Sequence, residues 1–72
     1  MEEIKISTEF IKLDQFLKFS SVCYDGAEAK FLIKDGLVSV NGEQELRRGR
    51  KLYCGDRVKI NLEDETIELT VQ

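Results

Sequence analysis

Arg47, Arg48, Arg50, Lys51, Arg57 and Lys59 place six cations between positions 47 and 59, where the only acid is Asp56. The whole chain of 72 residues carries net charge −3. Positive charge concentrated in this way within an acidic protein marks a local cationic site, and its natural partner is a phosphate backbone. Arginine forks grip phosphate oxygens in pairs, and Gly49 lets the loop backbone come close to such a partner. Lys12, Lys30 and Lys34 lie on or near segments of helical periodicity. With Arg47, Arg48, Arg50 and Lys51 they form a candidate cationic cleft. The plain alternative is a solvated lysine face beside a turn that happens to be basic. Arg57 and Lys59 are weaker candidates for such contacts: they alternate outward from a strand, and the plain alternative is that they guard a sheet edge.

Other chemistry is sparse. Tyr24, Tyr53 and Phe19 are able to stack on unpaired bases. With only six aromatic residues and a small core, packing is the stronger reading, Tyr24 at the interhelix loop excepted. Gly26 opens a helix whose free N–H groups suit a phosphate, although Asp25 and Glu28 compete for them. Cys23 and Cys54, with no histidine in the chain, do not make a zinc site and read as buried reduced thiols. The lack of histidine removes the commonest general base. No glycine-rich phosphate loop and no nucleophile–base pair occurs at a telling spacing. Asp14 reads as a cap or an ion-pair partner. No enzyme activity, metal or cofactor is expected.

Length allows one domain, 1–72, with a small core: a chain of this size buries only about 60% of its unfolded surface. A hydrophobic content of 42% and a charged content of 35% fit a globular chain rather than a disordered one. Charge falls into three zones, with net −2 over residues 1–11, +3 over 12–60 and −4 over 61–72. Binding of a polyanion is therefore expected on one face only, and to be salt-sensitive. No apolar run reaches the roughly 20 residues that span a bilayer, and MEEIKI lacks the basic start of a secretory signal. These features predict a cytoplasmic monomer with no membrane partner.

Periodicity supplies the elements that must hold these side chains. Residues 2–6 alternate as a short half-buried strand. Leu13, Phe16 and Leu17 line one face of a helix from Lys12 to about Ser21, with Phe10 one turn earlier. Asp25 and Glu28 form a capping box for a second helix, from about Gly26 to Asp35, that buries Ala29, Leu32 and Ile33 and ends at Gly36. Val38 and Val40 precede the hairpin signal Asn41-Gly42. A two-residue loop there sets acids Glu43 and Glu45 opposite the valines. A three-residue loop, with Val38 opposite Leu46 and Val40 opposite Gln44, keeps both acids outside and is the register expected. Arg47 to Lys51 follow as a basic loop, anchored at its far end by Leu52 and Tyr53. Val58, Ile60 and Leu62 then face Val71, Leu69 and Ile67 across a short loop at Asp64-Glu65. The class is α+β, two short packed helices against a small, mostly antiparallel sheet.

Leu13-Asp14, Glu28-Ala29-Lys30-x-Leu32-Ile33, Gly36-x-Val38-x-Val40-Asn41-Gly42 and Gly55-Asp56-x-Val58 occur in this order. The string resembles the RNA-binding domain named after small-subunit ribosomal protein four, the αL motif. Residues 12–60 carry the resemblance, and strands at 2–6 and 66–71 flank it. The basic run Arg47 to Leu52 is similar to that of a subgroup of stand-alone small bacterial members. Lys12 stands where the family often has arginine, keeping charge without the fork. Gly26 stands where an RNA-contacting arginine is common, and the basic loop is the compensating source of charge. The resemblance implies binding of ribosomal RNA, of other structured, transfer-RNA-like RNA, or of a ribosomal particle. The competing expectation is a protein-interaction module that uses the sheet edges at Glu2–Ile6 or Arg57–Leu62, or the acidic tail.

Overall fold

The computed structural model describes residues 2–72. In chain order the elements are β1 (Glu2–Ile4), β2 (Ile11–Lys12), α1 (Leu13–Phe19), α2 (Gly26–Lys34), β3 (Val38–Val40), β4 (Glu43–Gln44), β5 (Lys51–Leu52), β6 (Arg57–Asn61) and β7 (Thr66–Val71). Five strands form a sheet in the order β1-β7-β6-β3-β4, while β2 and β5 form a separate antiparallel ribbon. Within the larger sheet only β1 with β7 is parallel. This is the expected α+β arrangement.

Alternation explains the sheet's inner face. Val38 and Val40 of β3, Val58 and Ile60 of β6, and Leu69 and Val71 of β7 are buried, and join Leu13, Phe16 and Leu17 of α1 with Ala29, Leu32 and Ile33 of α2 in one core. Phe16 is the largest side chain fully enclosed there. Truncating it to alanine removes about 3–5 kcal/mol by the cost of such cavities.

Both helices stop the same way. In α2 the Gly36 N–H donates to the Ile33 carbonyl and the Leu37 N–H to the Leu32 carbonyl, each at 3.1 Å, with Gly36 at φ +82°. This is a Schellman ending. In α1 the Ser21 N–H donates to Lys18 and the Val22 N–H to Leu17, each at 3.0 Å. Here the left-handed residue is Ser21, at φ +67°. The first helix is therefore shorter than the expected Lys12 to Ser21. Lys12 is extended at φ −73°, ψ 148°, and the turn tightens after Phe19. The capping box forms at α2, where the Glu28 N–H donates to Asp25 Oδ1 at 2.9 Å. Glu28 reaches one residue further back than the cap, accepting from the Tyr24 N–H at 2.8 Å.

Two registers differ from expectation. Val40 pairs with Glu43 and Ser39 with Gln44, so the hairpin has the two-residue Asn41-Gly42 loop. Asn41 at φ +52° and Gly42 at φ +87° give the twist of a type I′ turn, which matches that of the strands. Turn geometry thus outweighs the unfavourable acid pairing, and Glu45 enters the interior. In the last hairpin Ile60 faces Ile67 and Val58 faces Leu69, two residues from the expected pairing. The Leu62 N–H donates to the Glu65 carbonyl at 2.8 Å, so Leu62 belongs to the turn. A shift of two preserves the buried face.

β6 lies between β7 and β3. Of the expected edge Arg57–Leu62, the strand Arg57–Asn61 is therefore interior to the sheet, and neither accepts a partner strand nor needs guarding. Lys59 stands opposite Glu68. The outer strands of the five-stranded sheet are β1 and the two-residue β4.

Candidate nucleic-acid interface

The basic loop is fastened to the start of α1 by backbone. The Leu13 N–H donates to the Arg50 carbonyl at 2.8 Å and the Asp14 N–H to the Arg48 carbonyl at 3.0 Å. A helix start leaves its first N–H groups unpaired, and Lys12 supplies no side-chain cap. The loop supplies the missing acceptors. Asp14 meanwhile takes the Gln15 N–H at 2.8 Å, a local capping role. Lys12 and Lys51 face each other in the β2–β5 ribbon. Lys12 thereby joins the loop cations, all close to one helix end.

Each loop cation has a distinct setting. Lys51 Nζ stands 4.7 Å from the centre of the Phe10 ring, which in turn lies 6.0 Å from Tyr53. An ammonium over a ring face keeps its charge toward solvent. Phe10 therefore supports Lys51 instead of extending the α1 stripe. Arg48 and Lys12 are exposed, and neither side chain is held by an ion pair among the described residues. Arg47 and Arg50 both bind Glu45. Oε2 of Glu45 accepts from Arg47 Nε at 3.0 Å and from the Arg47 backbone N–H at 3.0 Å. Oε1 accepts from Arg47 Nη2 at 3.1 Å and from Arg50 Nη1 at 2.8 Å. Glu45 is the only charged residue buried among the described residues, at 6% exposure. The side-chain bonds from Arg47 and then Arg50 hold its carboxyl down at about 2, against an ordinary 4.5. Arg47, Gly49, Arg50 and Lys51 border a concavity of about 540 Å³.

Gly49 is not in the left-handed region, and a Cβ built there meets nothing within 4 Å. The same holds for Gly26. Nothing inside the protein requires glycine at either place.

On α2, Lys30 and Lys34 are exposed, each one residue beyond a buried position, Ala29 and Ile33. Among the described residues, no hydrogen bond or ion pair links their side chains to the loop. The nearest tie is Gln44 Nε2 donating to the Gly36 carbonyl at 2.9 Å, which brings the end of α2 to the strand preceding Glu45.

Aromatic exposure departs from the packing expectation. Phe19, Phe31 and Tyr53 are substantially exposed and Tyr24 almost wholly so, at 98%. A core of this size has room for one buried ring, Phe16. Tyr24 borders a concavity of about 640 Å³ with Lys18, Ser21, Val22, Cys23 and Glu28. Cys23 is buried as expected, and burial, then Glu28 and Asp25, push its thiol up to about 11. Cys54 is exposed in the turn before Gly55, contrary to expectation.

Sequence reasoning missed Glu45 and Phe10. The signal for Glu45 was present: the favoured Asn-Gly turn sets the pairing that points it inward, two residues before an arginine. No helix is long and apolar enough to cross a membrane among the described residues.

A family model described as the S4 domain matches residues 4–70. The "Probable ribosome maturation protein RlbA" of Bacillus subtilis (strain 168) is 51% identical over 57 residues, covering 79% of this chain and 80% of that protein. An "Uncharacterized RNA pseudouridine synthase" of Aquifex aeolicus (strain VF5) is 38% identical over 60 residues, which are 83% of this chain but 19% of that protein. The ordered motifs from Leu13-Asp14 to Gly55-Asp56-x-Val58, the helix pair over a mixed sheet and the match across 4–70 agree: the chain belongs to the S4 domain family.

Proposed function

We propose that this protein binds structured RNA without catalysing a reaction, and that its target is ribosomal RNA or a ribosome assembly intermediate in the cytoplasm. The observation that carries the reading is the backbone junction of Leu13 with Arg50 and Asp14 with Arg48. It gathers Lys12, Arg47, Arg48, Arg50 and Lys51 at one helix end, on a rigid support. Membership of the S4 domain family and likeness to a protein named for ribosome maturation support the same reading. Affinity comes from phosphate contacts and RNA shape. Exposed Tyr24 and the open backbone at Gly49 and Gly26 add sites where a base or sugar can approach closely. Lys30 and Lys34 extend the surface along α2.

The test must spare Glu45. Replacing Arg47, Arg48 and Arg50 together leaves a buried carboxylate unpaired, which costs several kcal/mol and confuses unfolding with lost binding. Lys12→Ala/Arg48→Ala/Lys51→Ala leaves that cluster intact. The triple variant is expected to unfold at nearly the wild-type temperature and to lose binding to purified ribosomal RNA. Unchanged binding would overturn the proposal.

A further inference from the structure

We infer that Glu45 is a positioning residue for the RNA interface: its buried carboxylate holds the guanidinium groups of Arg47 and Arg50 in fixed orientations while their remaining donors face outward to phosphate oxygens. The inference rests on the RNA-binding reading above and gives one acid in that basic surface a role within it.

A guanidinium carries five N–H donors. Arg47 spends two of them on Glu45, through Nε and Nη2, and three remain. Arg50 spends one, through Nη1, and four remain. The Arg47 side chain is still 75% exposed and that of Arg50 31%. Both therefore offer unspent donors to solvent from a side chain that no longer rotates freely. A flexible arginine loses rotamer entropy when it grips a phosphate. Here that ordering is completed during folding, because Glu45 is anchored in turn. Its own N–H donates to the Val38 carbonyl at 2.9 Å, and its side chain is enclosed.

Simple electrostatics and positioning make opposite predictions. Glu45→Gln removes a negative charge from the middle of a cationic loop, so charge alone predicts tighter RNA binding. Positioning predicts weaker binding, since an amide cannot accept from both guanidinium groups with both of its ends. Binding to purified ribosomal RNA at fixed salt is expected to fall about 3- to 10-fold, from the ordering cost of one or two long side chains. Arg47→Lys/Arg50→Lys, which keeps the charge and loses the fork, is expected to weaken binding by a similar factor. Glu45→Gln added to that pair is expected to weaken it little further.

Tighter binding by Glu45→Gln, or an equal loss in the lysine background, would overturn the inference. A second readout does not depend on the variant folding. In the free wild-type protein the Arg47 Nε–H is expected to give a distinct, slowly exchanging NMR signal, and averaged, fast-exchanging side-chain signals would also overturn it. Lys12→Ala/Arg48→Ala/Lys51→Ala is the separate check on RNA binding itself. If that variant binds normally, the RNA reading fails, whatever Glu45 does.

Discussion

Asn41 and Asp56 lie fifteen positions apart and lock two turns together: Asn41 Nδ2 donates to Asp56 Oδ1 at 3.0 Å. The second polar atom of each side chain is also used. Asn41 Oδ1 accepts from the Arg57 N–H at 2.9 Å, and Asp56 Oδ2 from the Tyr53 N–H at 2.8 Å. Two pieces of the family string, Asn41-Gly42 and Gly55-Asp56, are therefore a single fastening between the β3–β4 hairpin and the entry to β6. Asp56→Ala is expected to cost about 1.5–3 kcal/mol, the range for hydrogen bonds to a charged group, although Asp56 is not in the core. Urea unfolding measures this. A loss near zero would mean that water replaces the bonds.

The Glu45 cluster predicts an acid-dependent stability. Its folded-state pKa, about 2 against an ordinary 4.5, is depressed chiefly by the side-chain hydrogen bonds of Arg47 and Arg50. The stabilisation is therefore fully present above about pH 4.5 and is lost as pH falls through about 2. Other carboxylates titrate in the same window, so the informative quantity is a difference. Wild type is expected to exceed Glu45→Gln in melting temperature at pH 6, and the gap is expected to narrow steadily toward pH 2. A gap that does not change with pH would place the stabilising effect of Glu45 in its packing rather than its charge.

Most of this fold was legible because local rules and burial agree. Ala29, Leu32 and Ile33 at helical spacing, Asp25 and Glu28 at capping spacing, and Gly36 after the last turn all point to the α2 that is observed. Expectation failed where two rules conflicted. At Asn41-Gly42, turn geometry demanded one register and hydrophobic pairing another, and a buried acid looked prohibitive. It is not prohibitive here, because Arg47 and Arg50 follow closely enough to satisfy every lone pair the acid exposes. The site was less legible than the fold. Clustering of Lys12 with the loop depends on the backbone junction of Leu13 with Arg50 and Asp14 with Arg48, far apart in sequence, and no local pattern encodes that. The exposed rings follow from core volume, which composition does not reveal residue by residue.

Ser21 is the weak member of the two matched helix endings. Gly36 holds φ +82° at no steric cost, whereas Ser21 holds φ +67° with a Cβ, a conformation that disfavours residues other than glycine. Ser21→Gly is expected to stabilise the protein by about 0.5–1 kcal/mol, part of the relief being offset by a more flexible unfolded chain. For a chain of this size that is a rise of about 2–8 °C in melting temperature. Scanning calorimetry decides it. A fall would show that Ser21 makes a compensating interaction in solution.

The salt dependence of RNA binding counts the cations that meet phosphate. Lys12, Arg47, Arg48, Arg50 and Lys51 are gathered at the start of α1, and Glu45 offsets part of their charge. At about 0.9 counterions per phosphate contact, the slope of log affinity against log salt is expected near −4. Arg48→Ala removes an unpaired cation and is expected to flatten the slope by about 0.9. Asp56→Ala disturbs only the fastening of the turns and should leave it unchanged. Lys30→Ala and Lys34→Ala then define the extent of the surface. If RNA runs along α2, each flattens the slope as Arg48→Ala does; if the footprint ends at the loop and Lys12, neither changes it. A wild-type slope near zero would remove phosphate recognition altogether, because no arrangement of five cations on a polyanion binds without releasing counterions.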